Sequence, residues 1–197
     1  MSRFIESIRL QDGTIELLDE HQRRVNATFA AFYPEYQPLS LSRLLTDAAL
    51  PEVGLFKVRV VYDATKAQLS YQPYTPRYPQ TLRLVRADEL RYDFKFADRR
   101  ALDACFAQRA PADDILLVRH GYLTDSYYAN TVFRKNGQWF TPLHPLLPGV
   151  RRARLLASGR IHTAAIRPED LPHYERVSLI NAMLPLGTVC LPVTHIF

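Results

Sequence analysis

The sequence predicts an α+β fold in two halves, and three observations carry the prediction. Short apolar runs of period 2, separated by turn residues, recur along the chain as strands do. Amphipathic helical stretches interrupt these runs irregularly instead of alternating with them one for one. A segment at 86–96 that mixes charge with aromatic residues divides the chain. The 197 residues suit one compact domain or two small ones sharing a core.

The elements follow in order. Arg3 to Leu10 alternates as a strand, QDGT at 11–14 turns the chain, and Thr14 to Leu18 returns it. Asp19 is placed to cap a helix carrying Val25, Phe29 and Phe32 on one face, which Pro34 stops. A short helix covers Leu41 to Leu50, with Ser40 or Ser42 as its cap. Gly54 to Asp63 and Ala67 to Gln72 form a hairpin. The three prolines within 71–80 leave a loop or an edge. Thr81 to Val85 is a further strand, and Asp98 caps a helix over RRALDACFAQR. ADDILLVRHG is a strand ending in a turn. ANTVFRKNGQWFTP is a hairpin about Asn136–Gly137, the strongest short-range turn signal present. A helix from about Val150 to Ser158 stops at Gly159. Pro168, Glu169 and Asp170 suit a turn or short helix. Strands are expected at Ile161 to Ile166, Ser178 to Asn181 and Thr188 to Thr194.

Composition excludes several classes. With 47% hydrophobic residues the chain is no disordered polymer. The net charge of +5 comes from 21 arginines and only four lysines, but Arg99–Arg100 and Arg151–Arg152 are pairs and not the basic, aromatic-laced tract that nucleic acid requires. The six histidines lack metal-ligand spacing, so no metal is expected. Cys105 and Cys190 form no disulfide framework, which points to a reducing compartment. No apolar run approaches the roughly 18 residues of a membrane span, and MSRFIESIRLQDG has no signal-peptide core. The expectation is a cytoplasmic protein without nucleic-acid or membrane partners.

The common nucleotide, zinc, hydrolase and dithiol signatures are absent. Four segments carry chemistry instead. Lys95 sits between Phe94 and Phe96, either as an outward strand position or as an amine in an apolar pocket, where desolvation lowers its pKa toward Schiff-base chemistry. In LLPGVRR, Gly149 precedes a helix whose first amides, those of Val150 and Arg151, can bind an anion. GYLTDSYYAN is either a polar loop or a carboxylate, Asp125, under aromatic hydroxyls. INAMLP sets Asn181 in an apolar segment, where its amide must be satisfied at both ends.

Taken in order, ESIRLQDGTIELLDEHQRRV, YDFKFADR, DDILLVRHGYLTDSYYANTVF, WFTPLHPLLPGVRRARLL and LINAMLPLGTV resemble the class IV aminotransferase family of pyridoxal-phosphate enzymes. Within the family, INAMLP and the short chain look most like the aminodeoxychorismate lyase branch. The resemblance implies a two-domain fold: an N-terminal α/β sandwich over 1–88, and a C-terminal α+β pseudo-barrel over 89–197 that binds the cofactor. It implies that Lys95 is the Schiff-base lysine and Arg24 the arginine on the cofactor phosphate. The amides of Val150 and Arg151 match the phosphate cradle, Asp125 the acid facing the pyridine nitrogen, and Asn181 and Met183 the last phosphate-side loop. The family acid is usually glutamate, and small residues usually follow it where this chain has Ser126, Tyr127 and Tyr128.

The implied reaction converts 4-amino-4-deoxychorismate to 4-aminobenzoate and pyruvate. The alternatives are a branched-chain or D-amino-acid transaminase, and a scaffold that binds without catalysis. The substrate is a small amine carrying carboxylates, with Arg59, Arg91 and Arg99 as candidates to bind them. A homodimer is expected, with Phe29, Phe32 and Tyr33 supplying an apolar face.

Overall fold

The computed structural model describes residues 2–197. The chain forms two compact units, Met1–Pro76 with Phe94–Asp98, and Arg77–Asp93 with Arg99–Phe197. Against a boundary at 88/89, contacts give residues 77–88 to the second unit and return the short Lys95 segment to the first.

The first unit is an antiparallel sheet of order β2-β1-β3-β4, formed by β1 (Phe4–Gln11), β2 (Thr14–Ile15), β3 (Leu55–Tyr62) and β4 (Ala67–Pro73). Asp12 and Gly13, at φ 47° and 75°, make the primed turn whose twist suits a hairpin. The returning strand is only two residues long. Glu16 N donates to Arg9 O, Arg9 Nε reaches Glu16 Oε1 at 2.8 Å, and Leu17 at φ 58° swings the chain into α1 (Leu18–Phe32). Asp19 is therefore not the cap; it lies in the first turn, where its charge still complements the helix dipole. Ser40 does cap α2 (Leu41–Thr46), accepting from Arg43 N at 3.3 Å. Val25 and Phe29 pack onto Phe4, Ile8, Leu10, Val58 and Val60 of the sheet. β4 is the edge strand, which is why it tolerates Pro73.

β3 covers one edge of β1 along its whole length, whereas β2 reaches only Leu10 and Gln11 on the other. The rest of that edge takes the segment around Lys95. Ile5 N donates to Lys95 O, Ala97 N donates to Arg3 O, and Phe96 pairs with Phe4.

The second unit comprises β5 (Leu82–Arg86), α3 (Arg100–Ala107), β6 (Asp114–Arg119), β7 (Tyr122–Ser126), β8 (Asn130–Lys135), β9 (Gln138–Pro142), α4 (Val150–Ala157), β10 (His162–Ala164), β11 (Arg176–Asn181) and β12 (Leu184–Pro192). β5 and β6 are parallel, β6 through β9 antiparallel, and β10 lies parallel to β9. β11 joins β8 to β12, and beyond β12 Ile196 pairs with Leu82 of β5. Hydrogen bonds thus run around a closed circuit, β5-β6-β7-β8-β11-β12 and back to β5. Arg99, not Asp98, occupies the N-cap position of α3, and its side chain makes no cap hydrogen bond. Asn136 and Gly137, at φ 50° and 76°, close the β8–β9 hairpin as the sequence predicts.

β7 is the element that hydropathy hides. Its Thr124, Asp125 and Ser126 are polar and buried. They are tolerable inside because they are hydrogen bonded: Thr124 Oγ1 donates to Leu117 O, and Thr131 Oγ1 donates to Thr124 O.

Candidate active site

In the first unit a buried ionic cluster joins β1 to α1. Glu6 takes the inward register of Phe4, Ile8 and Leu10, and is fully buried. His21 and Arg24, three residues apart on α1, reach it from one face of the helix. Arg24 grips Glu6 with a fork, Nε to Oε1 at 2.9 Å and Nη2 to Oε2 at 2.5 Å. His21 Nδ1 lies 2.5 Å from Oε2. Burial alone would raise the Glu6 pKa, but the Arg24 charge and the hydrogen bonds from His21 and Arg24 outweigh it and bring it to about 2. Burial lowers the His21 pKa, and the charges of Arg24 and Lys95 add to that, against the opposing pull of Glu6. His21 is thus neutral near pH 7, with its proton on Nδ1 and its lone pair on Nε2. Among the described residues, Nε2 is a buried nitrogen with no hydrogen-bond partner.

Lys95 is half-buried in the same unit. The rings of Phe94 and Phe96 stand against Phe32 at 4.9 Å and 5.7 Å, and Phe96 lies 5.0 Å from Phe4. Its flanking rings and its own carbonyl fix the backbone, so the amine is carried on an anchored segment. The structure brings Arg24 and Lys95 into one unit around His21. Sequence reasoning passed over Glu6 and His21, although a glutamate in the apolar register of β1 was the visible signal.

Because Arg24 neutralises a buried carboxylate, Arg24→Ala leaves Glu6 without its cation. We expect a loss of about 3–5 kcal/mol in unfolding free energy, read from urea midpoints. Glu6 has a pH signature of its own. A folded-state pKa of about 2 against an ordinary 4.5 stabilises the protein above pH 4.5, and this is lost as pH falls from 4.5 toward 2. Glu6→Gln should remove about 3 kcal/mol from that acid-side slope, and an unchanged slope in the variant would disprove the pairing.

In the second unit the remaining predicted residues include two hydrogen-bonded groups, one about Asp125 and one about Asn181. Asp125 is buried on β7, accepting from Asn130 Nδ2 at 3.0 Å and from Leu147 N at 2.9 Å. Burial pushes its pKa up to about 6, against those two hydrogen bonds and the charge of Arg152. Asn130 also donates to Leu147 O, and its side chain lies over Gly149. α4 starts immediately after Gly149, which supplies no side-chain cap to its first turn. The Arg151 side chain donates to Asn181 O at 3.2 Å and Ala182 O at 2.7 Å. Asn181 satisfies both ends of its amide: Oδ1 accepts from Met183 N and Leu184 N, and Nδ2 donates to Tyr128 O. Arg152, which sequence reasoning also missed, is buried and bonded to Thr141 Oγ1 and Pro142 O.

Tyr127 and Tyr128, in place of small residues, turn toward α3. The Tyr127 ring stacks on Phe106 at 4.1 Å and its hydroxyl donates to Asp103. Of the three arginine candidates, Arg59 and Arg91 are exposed, and Arg99 is half-buried among tyrosine rings. The proposed dimer face is corrected in part: Phe29 and Tyr33 are buried in the first unit's own core, and only Phe32, 38% exposed, remains at its surface.

A Cβ at position 149 would lie 1.9 Å from Asn130 Oδ1. Gly149→Ala must therefore evict Asn130, for a cost of about 1–3 kcal/mol from the unmade hydrogen bonds. In an Asn130→Ala background the same change should cost almost nothing, and thermal melts of the four proteins check this.

Among the described residues no cluster of His, Cys, Asp and Glu could hold a metal ion, and no helix is long and apolar enough to cross a membrane. Comparison with known proteins gives the class. The profile of the family "Amino-transferase class IV" matches residues 3–196, so the chain belongs to the class IV aminotransferase family. A Haemophilus somnus protein of known crystal structure, provisionally named a 4-amino-4-deoxychorismate lyase, is 34% identical with a TM-score of 0.89, over 94% of this chain and 98% of that one. An uncharacterised Haemophilus influenzae protein is 30% identical over 93% of this chain and 98% of its own length. A hypothetical aminotransferase from Mycobacterium tuberculosis, solved with pyridoxal phosphate bound, shares the fold at a TM-score of 0.75 and 17% identity, over 99% of this chain and 81% of that one.

Proposed function

We propose that the chain is a pyridoxal-phosphate-dependent lyase that converts 4-amino-4-deoxychorismate to 4-aminobenzoate and pyruvate. The observation that supports this reading is the pair of hydrogen-bonded groups in the second unit, Asp125 with Asn130 and Leu147 just before α4, and Arg151 with Asn181 and Met183. Its chemistry fits the cofactor at both ends. An uncapped helix start suits a phosphate. A buried carboxylate whose hydrogen-bond donors are both neutral amides suits a protonated ring nitrogen, and the lone pairs it has left can accept that contact. The unpartnered Nε2 of His21 is a further buried acceptor in the unit that holds Lys95.

In this reading Arg24, the Val150 and Arg151 amides, Asn181 and Met183 would hold the cofactor's phosphate, Asp125 would keep its ring nitrogen protonated, and Lys95 would be the amine that binds it. When bound, pyridoxal phosphate supplies a sink for the electron pair left at the substrate carbon. Lys95 Nζ takes the proton from the amine-bearing ring carbon. The C–O bond to the enolpyruvyl group then breaks, and Lys95 returns the proton to the departing group, which leaves as pyruvate while the ring becomes aromatic. Glu6 orients His21 and Arg24, and Asp125 would hold the ring-nitrogen proton. The working form is a homodimer, supported by the apolar surface left at Phe32 and Tyr36.

The test is to supply cofactor and 4-amino-4-deoxychorismate and to measure pyruvate and 4-aminobenzoate. Equal amounts of both, with no oxo acid required, support the lyase. Turnover only of an amino acid with an oxo acid replaces it with the transaminase reading.

A further inference from the structure

We infer that the open edge of β4 is a self-association surface, where a second copy of this chain adds its own β4 antiparallel and joins two four-stranded sheets into one. β4 is the last strand of its sheet, beyond β3, and runs seven residues, Ala67–Pro73. All are exposed except the half-buried Leu69. Among the described residues no strand covers that edge.

The ladder with β3 shows which backbone groups face outward. Asp63 N donates to Lys66 O, and Tyr74 N donates to Leu55 O. Both pairs share the register that sets Val61 opposite Gln68, Arg59 opposite Ser70 and Lys57 opposite Gln72. Hydrogen-bonded pairs alternate along an antiparallel ladder, so Gln68, Ser70 and Gln72 spend their amides and carbonyls on β3. Those of Ala67, Leu69 and Tyr71, with the Pro73 carbonyl, point away from it. Such an edge is ordinarily blunted by a charge, a bulge or a proline. β4 carries no charged residue, its register with β3 is unbroken, and its one proline stands at the last position.

The sequence of the edge selects its occupant. Gln68-Leu69-Ser70-Tyr71-Gln72 has the same chemical order in both directions, polar, apolar, small, apolar, polar, with Ser70 at its centre. A two-fold contact demands this, because residue i must suit j while j suits i. With the axis at Ser70, Leu69 faces Tyr71 of the partner subunit and exchanges both backbone hydrogen bonds with it. Gln68 then faces the partner's Gln72, and Ala67 N meets the partner's Pro73 carbonyl. Leu69 packs against the core of the first unit, and the Tyr71 ring lies 6.1 Å from that of Phe56. The pairing therefore extends an existing apolar layer and covers a ring that is 46% exposed. Lys66, the charge just before the strand, meets the partner's Tyr74 and not the partner's Lys66, so like charges do not collide. The contact uses none of the residues of the surface at Phe32 and Tyr36.

The test uses the full chain with single added cysteines. Ser70 on the axis is a non-hydrogen-bonded pair with its twin, with Cα atoms about 4.5 Å apart and within disulfide reach. Ser70→Cys should therefore crosslink most of the protein into a two-chain species under mild oxidation. In Gln72→Cys the two thiols are four residues out of register, about 14 Å apart. That variant should crosslink no more than the parent with its Cys105 and Cys190. Tyr71→Pro deletes one outward N–H and no β3–β4 hydrogen bond, so it should halve the mass seen by light scattering at low micromolar concentration. A fall from four chains to two leaves the Phe32 surface working, and a fall from two to one makes β4 the whole contact; both support the inference. Ser70→Cys that crosslinks no better than Gln72→Cys overturns it, as does a parental mass in a Tyr71→Pro protein with parental circular dichroism. Should the proline disturb the fold, the two cysteine variants decide.

Discussion

Lys95→Ala is expected to lower turnover by at least about a thousandfold, to abolish the yellow colour of the cofactor-loaded protein, and to leave the first sheet intact. The last part follows from where the structural duty of residue 95 resides. Ile5 N binds its carbonyl, while Phe94 and Phe96 supply the packing, so alanine keeps every backbone contact that seats the segment on β1. In the proposed mechanism the amine moves protons while the backbone holds position, so the variant separates the two. Parental far-ultraviolet circular dichroism with lost turnover is the expected pair of results. Unchanged turnover would end the mechanism.

Asp125→Asn is expected to do two kinds of damage. The carboxylate accepts from two donors, Asn130 Nδ2 and Leu147 N. An amide in its place must turn its own NH2 toward one of them, so the substitution is not isosteric in hydrogen bonding and costs about 1–3 kcal/mol of stability. It also deletes the charge that would keep the cofactor's ring nitrogen protonated, and turnover falls by orders of magnitude. The rate of substrate-proton removal in the cofactor-saturated variant separates the effects. A near-parental rate with lowered stability would confine Asp125 to bracing the loop before α4.

What could be read in advance divides along the range of the interactions. Asn136–Gly137, the Ser40 cap and the helix ended by Gly159 were legible because the physics at each is local: a positive φ, an amide three residues on, a chain that must leave a helix. β7 was not, because its polar groups are buried against the Leu117 carbonyl of β6 and the Thr131 hydroxyl of β8, partners that only folding brings near. Asp19 failed as a cap for a similar reason, since the Arg9–Glu16 contact sets where the chain enters α1. The resemblance named Arg24 and Lys95 but not Glu6, whose pairing with His21 and Arg24 joins a strand to a helix. Phe29 and Tyr33 looked like interface residues because apolar patterning does not distinguish a core from a surface.

The covalent route of the Lys95 segment bears on how the protein is made. The chain leaves the first unit after Pro76, returns for Phe94–Asp98, and leaves again. During synthesis the ribosome releases β1 to β4 well before the strip that completes the open edge of β1. The first unit therefore stays unfinished until residues 94–98 emerge, by which time β5 has already been made. The residue proposed to do the chemistry thus travels on the piece that closes the first sheet, so acquiring the reactive amine and finishing that sheet become a single event in biogenesis.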